Sequence, residues 1–327
     1  MVSQGERDDR SPVYTQGKMN ILVLGANGYS GARLVKELLQ RGHHVRGLVR
    51  AMEKATMLEA QGMELRVGDV SHAEDIRTIA QDVEVVFNLI GYCRAETSAL
   101  RAALLDGTRN LLRVLERGAL KKYIWASNVA VYGRPKSNAR LDEKTPPKPA
   151  YALGRATVEA EKLAHSELPT VTVRVSSVYG PGRDYIEAVK AGRMRILNTG
   201  ENWQSRIHVD DLVQVLLAVL ERAPVGETYL VGDDLPTTTR DFFNELAEAL
   251  HAPPPLLLEA RAARAFGVAG RAFNRLAGQP QSRLNENVIG LLTSNYFCVN
   301  EKIKRELGVE LKYPTFRDAY EEMLTGG

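Results

Sequence analysis

Short runs of β-branched residues and leucine alternate, over the first half of the chain, with longer stretches in which apolar residues recur every three or four positions. The first run is Ile21-Leu22-Val23-Leu24, followed by Gly25-Ala26-Asn27-Gly28-Tyr29-Ser30-Gly31 and an amphipathic stretch over 32–40 that ends at Gly42. That order predicts a strand, a turn and a helix. Further strands are predicted over 45–49, 64–67, 83–90, 122–126 and 170–175, with helical stretches over 52–60, 73–81 and 100–117, the last closed by Gly118. The segment 134–149, rich in proline, lysine and asparagine, reads as a loop, and a helix starts near Tyr151. Such alternation predicts an α/β fold, a Rossmann-type doubly wound parallel sheet. Beyond Pro181 the elements shorten. Asp210 is expected to cap a helix over 212–222, 227–231 to form a late strand, and Thr238 to cap another helix. Residues 1–18 read as a disordered leader, 19–180 as the dinucleotide domain, and 181–327 as mainly a substrate-binding cap, with 208–235 returning to the first domain.

The glycine turn carries the first chemistry. Gly25 permits a tight turn, Gly28 lets backbone N–H groups approach a pyrophosphate, and Gly31 lets the helix pack on the strand; the helix N-terminus adds partial positive charge. Asn27, Tyr29 and Ser30 complete this cofactor cradle. The end of the second strand reads Leu48-Val49-Arg50, without the acid that accepts a ribose diol, so Arg50, with Arg33, is expected to clamp a 2′-phosphate. NADP(H) is favoured, with NAD(H) as the alternative; the competing view leaves both arginines merely solvated. Asp69 and Val70 fit an adenine contact, while Asn88 to Gly91 would pass beside the nicotinamide.

Composition narrows the classes. Net charge is +3 from 43 basic and 40 acidic residues, without a long basic run, which argues against a nucleic-acid partner. Cys93 and Cys298 alone build neither a disulfide framework nor a cysteine metal site, so a reducing, cytoplasmic setting is expected; the six histidines show no metal-ligand spacing. No run approaches the roughly 18 apolar residues of a membrane span.

Several separated segments resemble the extended short-chain dehydrogenase/reductase family, which includes NAD(P)-dependent epimerases and dehydratases. They are the glycine turn, Asp69-Val70, Gly107-Thr108 with Asn110, Ala126 to Gly133, Tyr151, Val178 to Gly182 and His208 to Leu212. The resemblance implies a nicotinamide cofactor, a small carboxyl-terminal substrate domain, and a homodimer packed through helices near 98–117 and 151–167. It places Tyr151 as general acid/base. Two positions depart from the pattern: the lysine four residues after the tyrosine is Arg155, and the serine or threonine that polarises a substrate carbonyl is Asn128. A cation at ~4 Å in an effective dielectric of ~20 contributes about 4 kcal/mol, so Arg155 can activate a tyrosine by charge and grip the ribose, but cannot pass on a proton. Asn128 keeps an amide donor for an oxyanion, or makes only a local hydrogen bond; neighbouring Ser127 would point the opposite way.

The resemblance also bears on substrate. Nucleotide-sugar members place a phosphate-binding arginine four residues before the position of His208, where this chain has Gln204, with Arg206 two residues before it. His208 itself reads mainly as structural. Arg261, Arg264, Arg271 and Arg275 share one helical face, alongside apolar Phe266, Phe273 and Leu276; that face would suit a membrane surface, although a solvated face packed on a core is the ordinary reading. The expected function is an NADP(H)-dependent oxidoreductase acting on a carbonyl or secondary alcohol of a small-molecule substrate. The alternatives are an epimerase/dehydratase and a catalytically silent NADP(H)-binding sensor or scaffold.

Overall fold

A computed structural model describes residues 17–50, 52, 55–91, 97–115, 119–265 and 285–325. Among them, seven parallel strands form the central sheet: β1 (Asn20–Leu24), β2 (His44–Val49), β3 (Glu64–Val67), β4 (Val85–Asn88), β5 (Lys122–Asn128), β6 (Thr170–Val175) and β7 (Thr228–Val231). Their order is β7-β6-β5-β4-β1-β2-β3. The chain winds outward in both directions from the β1–β4 pair, and the crevice at the carboxyl ends of those two strands is the place such a sheet offers a ligand. β6 is buried along its whole length, as expected of a strand covered on both faces.

On one face lie α1 (Tyr29–Gln40) and α7 (Val209–Arg222), which bury Leu34, Val35, Leu38, Leu212, Val215 and Leu216. On the other lie α3 (Ala73–Arg77), α4 and α5 (Ala152–Glu167), burying Ile76, Leu104, Leu111, Ala156 and Ala160, whereas the short α2 (Thr56–Ala60) stays on the α1 side, where its Leu58 joins the first cluster. α4 runs through Thr97–Arg101, a π-helical turn Ala102–Asp106, and Gly107–Val114. That turn interrupts the helix read from the sequence, whose expected end at Gly118 lies outside the described residues, as does 1–16 of the leader.

The carboxyl-terminal part builds a second apolar cluster from α6 (Ile186–Lys190), α8 (Thr239–Ala249) and, after α9 (Glu286–Thr293) and α10 (Glu301–Leu307), α11 (Phe316–Thr325). Its largest members are Tyr179, Phe242, Phe243, Phe316 and Tyr320. β7 pairs with β6, so the chain returns to the sheet before building α8. Thr238 caps α8 by accepting from the Asp241 N–H at 3.0 Å, as its sequence position predicts. The cap of α7 differs from expectation. His208 holds the extended backbone of a cap and its Nδ1 accepts from the Asp210 N–H at 3.3 Å, which leaves Asp210 in the first turn, where its charge meets the helix dipole. Among the described residues no helix is long and apolar enough to cross a membrane.

A buried ion pair ties this frame together. Arg174 of β6 forks onto Glu161 of α5, with Nη2 at 2.8 Å and Nε at 3.2 Å from the two carboxylate oxygens, and its Nη1 donates to the Tyr132 hydroxyl at 3.2 Å. Ser127 turns inward and donates to the same carboxylate, on the side of the strand away from Asn128. Removing one partner strands the other charge in a dry interior. Glu161→Gln is therefore expected to lower unfolding stability in urea by about 3–5 kcal/mol, whereas the double change Glu161→Leu with Arg174→Met recovers most of that loss.

Candidate active site

The crevice at the end of β1 is shaped by backbone contacts that exclude side chains. Gly25 has φ +79°, and the Gly28 N–H returns to its carbonyl at 2.9 Å. A Cβ on Gly31 would stand 2.1 Å from the Gly25 carbonyl oxygen, so α1 crosses the turn at a distance open only to glycine. The cleft beside this turn is lined by Gly25, Asn27, Gly28, Arg50, Gly68, Val70 and Gly91, among others. Six of the residues expected to bind a cofactor thus meet there, together with Gly68, which sequence reasoning had not named.

Other expected contacts sit around that cleft. Asp69 accepts from the N–H and hydroxyl of Ser71; burial works against its charge, but those bonds and Arg50 together hold its carboxyl below the usual range. Val70 packs on Gly107, and Asn110 donates to the Val70 and Ser71 carbonyls, which fixes the β3 end against α4. Asn88 is buried, donating to the Tyr123 hydroxyl at 2.7 Å and accepting from the Ile90 N–H, so it shapes the end of β4. Arg33 goes elsewhere. Its guanidinium donates to the carbonyls of Tyr29 and Pro181 and lies 3.9 Å from Asp210, while the Tyr29 hydroxyl also donates to Pro181. Tyr29, with the guanidinium groups of Arg33 and Arg183 at 4.4 and 5.0 Å from its ring centroid, thereby fastens the loop after Tyr179 onto the first turn of α1, beside Ser30.

Tyr151 is the N-cap residue of α5 and is buried. α5 starts where it does because Gly154 meets the Ala130 carbonyl: a Cβ there would lie 2.2 Å from that oxygen. The phenol ring lies against Gly290 of α9, and its hydroxyl has two partners, Arg134 Nε at 2.7 Å and Ser294 Oγ at 2.9 Å. The Arg134 guanidinium also stands 5.0 Å from the ring centroid. Arg155, expected beside that hydroxyl, instead donates to the Ala150 carbonyl from an exposed position one turn along the helix. Asn128 accepts from the Ala130 N–H and donates to Thr157, closing the 3₁₀ turn onto α5 with one of its two amide hydrogens. Sequence reasoning missed Arg134 and Ser294. The first lies in a segment read only as loop, and the second is 143 residues from its partner.

Nearer the cap, Gln204 donates to the Leu291 and Ser294 carbonyls, and Arg206 is buried against the Phe242 ring, donating to Gln204 and Thr237. His208 is buried against Tyr179 and Tyr313, and burial holds its ring below the usual histidine range, in keeping with a cap that accepts through Nδ1. Asp233, just past β7, is 1% exposed with Oδ2 unpartnered among the described residues; burial pushes its carboxyl up to about 8. Arg264 pairs with Glu286 and Arg261 is exposed, whereas Phe266, Arg271, Phe273, Arg275 and Leu276 lie outside the described residues, as does Cys93. No group of three potential metal ligands occurs among the described residues.

Comparison with known proteins agrees with this architecture. The model of the NAD dependent epimerase/dehydratase family matches residues 21–232. The chain is 28% identical over 305 residues to 4-hydroxy-2-methyl-3-oxo-4-farnesyl-3,4-dihydroquinoline-1-oxide ketoreductase of Stigmatella aurantiaca, covering 89% of this chain and 91% of that protein. It is 29% identical over 328 residues to 3-diazoavenalumate denitrifying reductase of a Streptomyces species, covering 92% and 98%. A solved dTDP-glucose 4,6-dehydratase from Bacillus anthracis, in complex with NAD, shares the fold at a TM-score of 0.75 and 21% identity, over 94% of this chain and 96% of that one.

Two outcomes follow from the site geometry. Gly31→Ala forces α1 off the glycine turn and is expected to weaken binding of the reduced nicotinamide dinucleotide, NADH or NADPH, roughly tenfold or more in a fluorescence titration, with the melting temperature lowered far less than that loss would imply for general unfolding. Asp233 supplies a pH dependence. Its carboxyl stays protonated up to about 8 when folded but ionises near ~3.9 when unfolded, so its contribution is fully present below ~4 and is lost as pH rises toward 8. Asp233→Asn should flatten stability between those limits; an unchanged slope in urea titrations across that range would refute the assignment.

Proposed function

The chain belongs to the NAD-dependent epimerase/dehydratase family, and from that membership we propose that it is an NADP(H)-dependent reductase of a carbonyl, or dehydrogenase of a secondary alcohol, on a small molecule other than a nucleotide sugar. In its coarser form the assignment is plain: this is an NAD(P)-dependent oxidoreductase or epimerase. The preference for NADP(H) is carried by Arg50, which lines the glycine-turn cleft at the end of β2, where an acid would repel a 2′-phosphate. Asp69, whose charge Arg50 also feels, accepts from the N–H and hydroxyl of Ser71.

A nicotinamide cofactor supplies the hydride chemistry when bound; the glycine turn, Arg50 and Gly91 would hold it. The chain's own work is at the substrate oxygen. Tyr151 exchanges a proton with that oxygen, and Asn128 directs its second amide hydrogen toward the charge that develops there. The substrate class is supported by Gln204, whose amide is committed to two carbonyls of the cap and offers nothing comparable to a phosphate-binding guanidinium. Two relatives named as reductases, one of them a ketoreductase, favour reduction over epimerisation.

The decisive measurement is cofactor affinity. Arg50→Asp is expected to weaken NADPH binding by about 10- to 100-fold, the scale of one charge-assisted contact, while leaving NADH binding unchanged or tighter. Equal effects on both cofactors would remove the NADP(H) assignment. Turnover with a panel of aromatic and aliphatic ketones, lost in Tyr151→Phe, tests the acid/base role.

A further inference from the structure

We propose that Arg134, rather than the arginine four residues along the helix, is the cation that positions and charges the Tyr151 hydroxyl, with Ser294 of the cap as its second donor. The inference rests on the reading of Tyr151 as acid/base. Its basis is the set of groups that meet at one oxygen. Arg134 Nε donates to the hydroxyl at 2.7 Å, and Ser294 Oγ reaches it from the other side at 2.9 Å. A neutral phenol fills both contacts by accepting from Arg134 and donating to Ser294. A phenolate fills them by accepting from both, because a serine hydroxyl is donor and acceptor alike. Both protonation states therefore fit one arrangement of heavy atoms: as the phenol gives its proton to the substrate oxygen, or takes it back, only the Ser294 hydroxyl has to rotate.

Charge complements that geometry. Among the described residues, no carboxylate stands within ion-pair distance of Arg134, so its charge is directed at the phenol oxygen and the ring face. Among the described residues Tyr296 also faces this cluster; its hydroxyl donates to the Gly133 carbonyl and burial pushes its phenol upward, leaving it neutral. Arg155 is turned to the Ala150 carbonyl at the surface. Gly290 is the enabling residue, since a Cβ there would stand 2.4 Å from the ring and drive α9, with Ser294 behind it, away from the tyrosine. Arg134 is a positioning residue: it acts through Tyr151.

The test is a near-ultraviolet titration of the full chain saturated with NADP⁺, following the phenolate absorbance that Tyr151→Phe abolishes. In Arg134→Met that absorbance is expected to appear at higher pH than in the unmodified protein, because the nearby cation that favours the phenolate is gone. Arg134→Lys should restore most of the difference, and Arg155→Met should leave the titration in place. If Arg134→Met leaves the Tyr151 signal unmoved, or Arg155→Met moves it equally, the proposal falls. Full ketone turnover in Tyr151→Phe would instead overturn the acid/base reading and leave the titration result standing.

Discussion

The structure depends on two places where a helix crosses a backbone carbonyl at a distance that excludes any side chain. Gly31 crosses Gly25 and so sets α1 on the end of β1; Gly154 crosses Ala130 and so sets α5 on the turn after β5. The first crossing shapes the cleft beside the glycine turn, and the second sets the start of α5, where Tyr151 meets Arg134 and Ser294. A methyl group at either position meets a rigid carbonyl, not a flexible side-chain tip, so the helix itself has to move. The site is thus built from backbone contacts, and the side chains around it inherit their geometry from them.

Polar groups in the interior are arranged according to what they have to hold. Glu161 and Arg174 satisfy each other, with Ser127 and Tyr132 at their edges, and lock α5 to β6 beneath the crevice. Lys122 donates to three carbonyls at the end of α7, joining β5 to the opposite face of the sheet. Asp233 is the exception, a buried carboxyl with one oxygen unpartnered among the described residues, and its environment favours the protonated form. Stability and site architecture are coupled through the Glu161–Arg174 pair and Asp233, because Glu161 lies on the helix that Tyr151 caps and Arg174 and Asp233 lie at or just past the carboxyl ends of β6 and β7.

The cap is not a separate lid resting on the sheet. Gln204 reaches the end of α9, Ser294 reaches Tyr151, Tyr296 reaches Gly133 and Asn287 accepts from the Leu153 N–H, so the first turn of α5 is fastened to the cap at several points. A change in cap position therefore reaches the phenol hydroxyl directly. That connection makes the tyrosine's chemistry a property of both layers, and it gives the loop after Tyr132 a part in the site through Arg134.

The sequence by itself determined the alternation of strands and helices, the glycine turn, the place of Tyr151 at a helix start and the missing acid after β2. Each is written in a short window: a period of two or 3.6, a glycine spacing, a residue at a strand end. It also located Thr238 as a cap, where the side chain and the N–H it meets are three residues apart. Local windows failed where neighbours compete. His208 rather than Asp210 caps α7, since only the backbone angles at 208 make it the residue outside the first turn, and a π-helical turn interrupts α4 without a signal in the apolar pattern. Only the tertiary structure decided which guanidinium meets the tyrosine. Arg155 and Arg134 are both near Tyr151 in sequence, but the second contact on that hydroxyl comes from Ser294, and the ring orientation that selects Arg134 is set by Gly290, far along the chain. Packing between distant segments has no period, so no spacing in the sequence encodes it.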